Sequence, residues 1–194
     1  MTRIIGGAAG GRRLATPRGS ATRPTSDRVR EALFSAVEAW SGSLDGLRFL
    51  DLYAGSGAVG LEAWSRGAGV VTFVEQDRKT AALIARNAET LGASRAVVAV
   101  TSVAAALRKS PSAPYDIVVL DPPYPLEADV VIAALTALVA CEWLVPGALV
   151  IVERSVRGAG LTWPDGLTGD RSKKYGETML WYGHAAPNAE ELSS

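Results

Sequence analysis

The chain contains one cysteine and one histidine in 194 residues, and this shortage excludes several kinds of site. A single cysteine, Cys141, excludes an internal disulfide. One residue of each type also argues against a zinc site, and against an enzyme built on a cysteine–histidine pair or a serine–histidine–aspartate triad. Because Cys141 lies in an apolar stretch and His184 in a polar one, we expect neither to act in catalysis.

Long hydrophobic runs are also missing. The longest largely apolar run, Val130–Cys141, is too short to cross a bilayer and suits a buried helix. The opening residues, MTRIIGGAAGG, contain no apolar segment of secretory length. With 48% hydrophobic and 21% charged residues, the composition is typical of a globular protein. We therefore expect a cytoplasmic monomer with no membrane partner.

The formal charge is zero overall, but it is unevenly distributed. Positions 1–30 hold seven arginines and one acid, Asp27, for a formal charge of +6, whereas positions 31–194 hold 13 basic and 19 acidic groups, for −6. A basic segment on an acidic body favours a polyanionic partner. A solvated basic tail would have the same composition, so charge alone leaves both interpretations open.

Short apolar strands alternate with helical patterns from residue 48 onward. The strand candidates are nearly continuous apolar runs, as expected where helices cover both faces of a parallel sheet. They are Arg48–Tyr53, Val70–Val74, Ala96–Thr101, Asp116–Leu120 and Ala148–Val152, and the helical patterns cover 58–66, 78–91, 103–109 and 127–141. This alternation predicts a doubly wound, mostly parallel α/β sheet of Rossmann-like type. A late antiparallel strand is predicted at Tyr175–Tyr182.

The N-terminal residues are expected to form a small basic extension. Its apolar patches, Arg3–Ile5 and Arg13–Leu14, predict a β-hairpin, and a helix capped by Thr25 should follow. We therefore predict an extension at 1–24, an α/β domain at 25–184 and a polar tail at 185–194. Removal of residues 1–20 is expected to leave the α/β domain folded.

A glycine-rich loop, DLYAGSGAVG, follows the first strand at residues 51–60. The spacing of Gly55, Gly57 and Gly60 at a strand-to-helix turn lets the backbone approach a ligand, although a plain tight turn has the same spacing. Asp51, just before the loop, suits the cationic amine and sulfonium of S-adenosylmethionine and would repel a pyrophosphate. Glu75, at the end of the second strand, can accept both ribose hydroxyls. Together these residues favour S-adenosylmethionine over a nicotinamide dinucleotide.

A second segment, VVLDPPYP at residues 118–125, ends the fourth strand with an acid, two prolines and an aromatic ring. The exocyclic amine of a nucleobase is a weak nucleophile, because its lone pair is delocalised into the ring. The Asp121 carboxylate and the Pro122 carbonyl could accept its two hydrogens while Tyr124 stacks on the base, and Pro122 and Pro123 would keep this frame rigid. The segment thus favours methyl transfer to such an amine, with a rigid turn as the alternative.

The ordered motifs resemble those of the bacterial RsmD family over residues 3–182. In chain order they are RIIGGAAGGRRL, TRPTSDRVREALF, LDLYAGSGAVGLEAWSRGA, FVEQD, VVLDPPY and KKYGET. Members of that family are S-adenosylmethionine-dependent methyltransferases that modify the 2-amino group of a guanine in 16S ribosomal RNA. The resemblance implies that activity here, acting on the free RNA or on the assembled small subunit, and no metal ion is expected.

The resemblance also implies three sets of site residues. The cofactor set is Asp51, Tyr53, Ala54, Gly55, Gly57, Glu75, Gln76, Ser102, Val103 and Asp121. The catalytic set, at the target base, is Asp121, Pro122, Pro123 and Tyr124. The RNA-binding set is Arg3, Arg12, Arg13, Arg23, Arg28, Arg30, Lys173 and Lys174. Ser102 stands where related enzymes often carry an aspartate or asparagine that contacts adenine.

Three other functions remain open at this point. The protein could methylate an amine in DNA or protein, since the DPPY segment is shared by many amino-methyltransferases. The glycine loop could instead serve a nicotinamide-dependent oxidoreductase, although Asp51 argues against a pyrophosphate. A catalytically silent RNA-binding module is the third alternative, and the intact Asp121–Tyr124 segment argues against it.

Overall fold

The computed structural model describes residues 2–17, 26–123, 126–158 and 160–187. The architecture is α/β, with a mostly parallel central sheet and late antiparallel strands, which confirms the predicted fold class. The chain forms two compact units, Met1–Val103 and Ala104–Ser194. Within the described ranges, no helix is both long and apolar enough to cross a membrane.

The first unit contains a small hairpin and three parallel strands with their helices. In chain order its elements are β1 (Thr2–Arg3), β2 (Arg13–Leu14), α1 (Asp27–Ser41), β3 (Arg48–Leu52), α2 (Ala58–Ser65), β4 (Val70–Glu75), α3 (Arg78–Leu91) and β5 (Ala96–Val100). Strands β5, β4 and β3 lie side by side in that order and pair in parallel. The predicted strands in this unit are all present. Most aliphatic residues of β3 and β4 are buried as the apolar runs required, whereas Val97 and Val100 of β5 are exposed.

The predicted N-terminal hairpin is also present. Strands β1 and β2 are antiparallel, with Thr2 opposite Leu14. Helix α1 differs from expectation at its first residue, because Ser26 rather than Thr25 is its N-cap and accepts a hydrogen bond from the Val29 amide at 3.3 Å. Thr25 itself lies outside the described residues, as does the predicted domain boundary at residue 24.

The hairpin docks on helix α2 through buried polar side chains. The fully buried Glu62 carboxylate accepts hydrogen bonds from the Ile5 amide at 2.7 Å and the Gly6 amide at 2.8 Å. One turn later, the Ser65 hydroxyl accepts from the Ala9 amide at 2.9 Å and donates to the Gly6 carbonyl at 2.6 Å. Backbone groups of the extension therefore help to satisfy the hydrogen-bonding capacity of these buried polar groups.

Apolar residues of the extension are buried as well. Ile4, Ala9 and Leu14 are all nearly inaccessible to solvent. These residues and the bonds to α2 contradict the expectation that residues 1–20 can be removed without cost to the fold. The extension is basic, as predicted, but its residues Ile4, Ala9 and Leu14 are also part of the core.

The second unit contains one parallel and two antiparallel strand pairs. After a short helix, α4 (Val103–Ala106), which spans the division between the units, its elements are β6 (Tyr115–Leu120), α5 (Ala128–Ala140), β7 (Leu144–Ser155), β8 (Leu167–Tyr175) and β9 (Thr178–Ala185). The strand order is β6-β7-β9-β8, with β6 and β7 parallel and the other pairs antiparallel. The parallel pairing of β6 and β7 agrees with the prediction from the alternation of strands and helices.

The late antiparallel part of the sheet contains two strands. The predicted late antiparallel strand is confirmed as β9, but it begins at Thr178 and not at Tyr175, because Gly176, at φ 61°, turns the chain between β8 and β9. Strand β8 escaped the pattern because most of its residues are exposed and polar, so no apolar alternation marks it. Lys173 and Lys174 consequently lie within a strand and not in a loop before it.

Candidate cofactor site and RNA-contacting residues

The glycine loop leaves strand β3 through a residue with an unusual backbone conformation. Tyr53 has φ 62°, a left-handed value that is rare for a bulky side chain and concentrates at functional sites. Burial raises the pKa of its phenol. The next residue, Ala54, donates its amide to the Val74 carbonyl at 3.1 Å and accepts from the Gly57 amide at 2.8 Å. The loop is therefore tied to β4 at its base.

The three glycines of the loop have different reasons to be glycine. A Cβ atom at Gly57 would lie 3.0 Å from Cγ2 of Ile84, and one at Gly60 would overlap the Phe73 ring and lie 2.9 Å from Cγ1 of Val71. Both residues are thus fixed by packing between helix and sheet. At Gly55 the nearest atom would be 3.9 Å away, so this position opens toward space that a ligand can use.

Glu75 ends strand β4 beside this opening. Its Oε2 accepts the Gly55 amide at 3.0 Å, and its Oε1 accepts the Asp77 amide at 2.8 Å. A carboxylate oxygen can accept two hydrogen bonds, so each retains capacity for a ribose hydroxyl. Glu75 therefore fits the predicted role and also holds the loop.

The Asp51 side chain is more deeply buried than contact with a cofactor amine requires. The side chain is 1% exposed, and its Oδ2 accepts the Gly60 amide at 2.9 Å. This bond satisfies a free N–H of the first turn of α2 and keeps a negative charge beneath the loop. Direct contact between Asp51 and a cofactor amine stays a prediction.

The other residues predicted for the cofactor follow strands β4 and β5. These strands are parallel, with Glu75 opposite Val100, so their ends lie at one edge of the sheet. The Thr101 amide donates to the Glu75 carbonyl at 3.1 Å, which places Ser102 just beyond that edge. Val103 is buried at the start of α4 and Gln76 is exposed. Contact of these residues with adenine stays a prediction.

The Asp121–Tyr124 segment follows strand β6 in the second unit, as predicted. Asp121 is half-buried, Pro122 is buried and Pro123 is exposed. The Pro123 carbonyl accepts the Leu126 amide at 2.9 Å, while Tyr124 lies outside the described residues. The role of this segment in holding a target base stays a prediction.

Most residues predicted to contact RNA have exposed side chains. Those in the described ranges are Arg3, Arg12, Arg13, Arg28, Lys173 and Lys174, whereas Arg23 lies outside them. Two of them also make internal contacts, because Arg3 Nε lies 3.2 Å from Asp27 Oδ2 and Arg12 Nη2 donates to the Thr90 carbonyl at 2.6 Å.

Arg30 is the exception in this set. Its side chain is completely buried, and its Nη2 donates to the Arg3 carbonyl at 2.7 Å and to Asp27 Oδ1 at 2.8 Å. Burial lowers the pKa of Arg30, and the charges of Glu62 and Asp27 oppose that shift. A buried guanidinium cannot reach a phosphate at the surface, so the structure contradicts the RNA-binding prediction for Arg30.

Comparison with known proteins gives these observations a family. Residues 2–184 match the family described as "Conserved hypothetical protein 95". The Escherichia coli (strain K12) protein "Ribosomal RNA small subunit methyltransferase D" is 38% identical over 175 residues, which cover 90% of this chain and 85% of that protein. This chain belongs to the RsmD family.

Solved structures agree with the RsmD assignment. The Escherichia coli structure titled "Putative methyltransferase yhhF" has a TM-score of 0.85 and 33% identity, and covers 96% of this chain and 99% of that one. An RNA methyltransferase from Salinibacter ruber, in complex with S-adenosyl-L-homocysteine, has a TM-score of 0.63 at 17% identity, with 84% and 94% covered, and shares the fold. The cofactor of this RsmD-family protein is S-adenosylmethionine, as predicted, and an open glycine loop flanked by two carboxylates fits its cationic centre.

Sequence reasoning missed three buried polar residues that organise this RsmD-family protein. Glu62 and Ser65 hold the extension, and Asn87 bonds both to the extension and to the glycine loop. A signal was available, because Asn87 lies three residues after Ile84 and four before Leu91, on the buried face of α3. A polar residue at such a position requires partners, but the pattern does not name them.

Proposed function

We propose that this protein transfers a methyl group from S-adenosylmethionine to the exocyclic 2-amino group of a guanine in the 16S RNA of the small ribosomal subunit. The observation that carries the proposal is the 38% identity, over 90% of the chain, to a protein named ribosomal RNA small subunit methyltransferase D. That name supports a ribosomal RNA substrate. The guanine and its 2-amino group are supported by the family resemblance of the motifs, and such a substrate implies action in the cytoplasm.

The first unit supplies the cofactor site in this proposal. S-adenosylmethionine contributes an electrophilic methyl group, which bonds to the amine nitrogen as its bond to sulfur breaks and the electron pair stays on sulfur. Glu75 accepts the ribose hydroxyls with the lone pairs that its backbone bonds leave available. The buried charge of Asp51 favours a cationic ligand above the loop, and the open face of Gly55 admits it.

In the same proposal, the Asp121–Tyr124 segment supplies the groups that orient the amine. Asp121 and the Pro122 carbonyl accept its two hydrogens, which localises the lone pair on nitrogen and aims it at the methyl carbon. Tyr124 stacks on the base, and two successive prolines limit the movement of the frame. The proton lost by the amine leaves after transfer, so the proposal requires no group with a strongly shifted pKa.

Basic side chains supply attraction for the RNA. Arg3, Arg12, Arg13, Arg23 and Arg28 precede the acidic body in sequence, and Lys173 and Lys174 lie on β8. Phosphate contacts of this kind supply affinity and orientation, whereas the choice of base depends on contacts with its edges. We therefore assign selection of the guanine to the Asp121–Tyr124 segment rather than to the arginines.

The test is a map of methylation on ribosomal RNA by mass spectrometry. Labelled S-adenosylmethionine is incubated with the protein and either unmodified small subunits or free 16S RNA. We expect one methyl group on the 2-amino group of one guanine in at least one of the two substrates. Methylation of another base, of ribosomal protein or of neither substrate would overturn the proposal.

A single substitution tests the role of the Asp121 carboxylate. We expect Asp121→Ala to lower turnover by about two to three orders of magnitude, the usual effect of removing one oriented catalytic group. Affinity for S-adenosylhomocysteine should change much less. Asp129→Ala, which removes an exposed carboxylate from the first turn of α5, is the matched control and should keep turnover. Near-normal turnover in Asp121→Ala would mean that the Asp121–Tyr124 segment acts only as a rigid turn.

A further inference from the structure

Asn87 uses its whole amide group to join two distant segments. The side chain is 5% exposed, and its Oδ1 accepts the Ala15 amide at 3.0 Å. Its Nδ2 donates to the Ala15 carbonyl at 2.9 Å and to the Ser56 carbonyl at 3.3 Å. A side-chain amide has one acceptor oxygen and two N–H donors, so these three bonds use both ends of the group.

One of these segments is the cofactor loop. Ser56 lies between Gly55, whose amide is held by Glu75, and Gly57, whose amide donates to Ala54. A trans peptide is planar, with its C=O and N–H pointing in opposite directions. The bond from Asn87 to the Ser56 carbonyl therefore fixes the plane of the 56–57 peptide in the middle of the loop.

The other segment is the basic extension. Ala15 directly follows strand β2, two residues after the exposed Arg13. Three residues after Asn87 along α3, the Thr90 carbonyl accepts Arg12 Nη2 at 2.6 Å. The same face of α3 thus holds the extension at two points, and only the Asn87 point continues to the loop.

We propose that Asn87 is a positioning residue that couples the basic extension to the cofactor loop, so that RNA on the extension and cofactor in the loop bind more tightly together than separately. The proposal rests on the proposed contact between the extension and RNA. RNA that stabilises the docked extension also stabilises the Asn87 amide in the orientation that holds Ser56. Thermodynamic linkage makes the effect reciprocal, and such couplings are typically about 5- to 150-fold.

The test measures both affinities, each with and without the other ligand. Calorimetry gives the Kd of S-adenosylhomocysteine in the absence and presence of unmodified small subunits, and filter binding gives the Kd of the subunits with and without S-adenosylhomocysteine. In the natural protein we expect each ligand to tighten the other by the same factor, about fivefold or more. Independent binding in the natural protein would overturn the proposal without any variant.

Two variants distinguish a loss of coupling from a general loss of stability. Asn87→Ala should weaken S-adenosylhomocysteine without RNA, by about tenfold if one buried hydrogen bond to the loop is lost, and should bring the coupling factor close to one. Ser65→Ala removes a different anchor of the extension, at Ala9 and Gly6, and makes no change in the loop. It should lower the melting temperature but keep the cofactor Kd within about twofold and retain the coupling. Equal losses of coupling in both variants, or unchanged values in Asn87→Ala, would contradict the proposal.

Two further variants complete the test. The first repeats the change at Asn87, and the second distinguishes failure of this inference from failure of the proposed function. Asn87→Asp keeps the acceptor for the Ala15 amide and the size of the side chain but removes both donors, so it should reproduce the loss of coupling if Asn87→Ala does not fold. Arg13→Gln leaves Asn87 in place and should weaken RNA while the cofactor Kd stays normal. If Arg13→Gln has normal RNA affinity, the proposed contact between the extension and RNA fails. The effect of Asn87 on cofactor affinity is tested separately, by the Kd of S-adenosylhomocysteine without RNA.

Discussion

At the scale of single residues, Gly55 offers the cleanest test of the cofactor loop. Gly55→Ala should cost about 1 kcal/mol of stability, because φ 55° disfavours a side chain, and should weaken S-adenosylmethionine by about tenfold or more, because the new methyl group enters space that the ligand needs. Calorimetric titration measures the affinity and urea unfolding measures the stability.

The matched control is Gly92→Ala at the end of α3. Gly92 has φ 82° and an added Cβ would have no protein atom within 4 Å, so the same backbone strain is introduced far from the loop. It should lose similar stability and keep normal cofactor affinity. Equal affinity in the two variants would show that Gly55 does not face the ligand.

Gly57 shows where a motif predicts a residue but not its reason. The sequence predicts that Gly57 lets the backbone approach a ligand, so that Gly57→Val would block binding. In the structure a Cβ there meets Ile84 and Phe73, so the substitution damages the packing of α2 and α3 against β4. The spacing of the glycines was predictable from local backbone requirements, whereas the direction in which each glycine faces depends on side chains distant in sequence.

At the scale of elements, the Glu62 carboxylate is one of two α2 side chains that hold the N-terminal hairpin. Glu62→Gln replaces an acceptor oxygen with an NH₂ group that faces donors, the Ile5 amide on one side or the Gly6 amide and Arg66 on the other. We expect the free energy of unfolding to fall by about 3–5 kcal/mol, as for other broken buried ion pairs. Urea unfolding measures this loss, and Glu31→Gln on the exposed side of α1 should change stability by less than about 0.5 kcal/mol.

The β8–β9 hairpin should give the protein a characteristic alkaline transition. Burial raises the pKa of Tyr182 from 10.0 to about 12, with a smaller contribution from Tyr175, while the Arg171 guanidinium, 5.0 Å from the ring centre, opposes the shift. The folded protein then keeps a proton that the unfolded chain releases. Stability from this group is complete below pH 10 and is lost as the pH rises through 12, by roughly 2–3 kcal/mol.

Ultraviolet titration of tyrosinate checks this transition. The natural protein should show a phenol that ionises near pH 12, and Tyr182→Phe should lack it. Tyr175→Phe is the comparison, since it leaves the buried ring of Tyr182 in place. A natural protein in which Tyr182 ionises with an ordinary pKa near 10 would contradict the burial argument.

Elements were predictable to the extent that their burial is one-sided or complete. The apolar runs of β3, β4 and β6 and the buried stripe of α3 indicated those elements, because hydrophobic burial selects residue type directly. Strand β8 gave no such signal, since its stability comes from backbone pairing with β9. The docking of the extension was equally hidden, because it depends on side chains of α2 and α3 meeting backbone amides from a much earlier part of the chain.

At the scale of the whole molecule, the uneven charge predicts how RNA binding responds to salt. Each phosphate contact releases counterions, so Arg13→Gln/Arg28→Gln should weaken binding and flatten the log–log salt dependence by about one unit for each arginine that meets phosphate. Lys173→Gln/Lys174→Gln on β8 should behave in the same way. Binding measured across a salt series determines each slope.

The control is Arg108→Gln/Lys109→Gln, which removes two exposed cations outside the predicted RNA set. Its slope should match that of the natural protein. Equal flattening of the slope in all three double variants would mean that only net charge matters. An unchanged slope in Arg13→Gln/Arg28→Gln would mean that these two arginines are solvated and do not contact phosphate.

The docking of the extension on Glu62 and Asn87 also has a consequence for synthesis. The extension leaves the ribosome before its partners, which lie 57 and 72 residues later in the chain. At about 5–20 residues per second, the delay for Asn87 is roughly 4–14 seconds. During that interval the arginine-rich extension has no α3 to dock on, and it lies beside the RNA of the ribosome that is making it. Folding must then release this segment from any contact it has formed with that RNA, and the competing surface is complete once both α2 and α3 have formed.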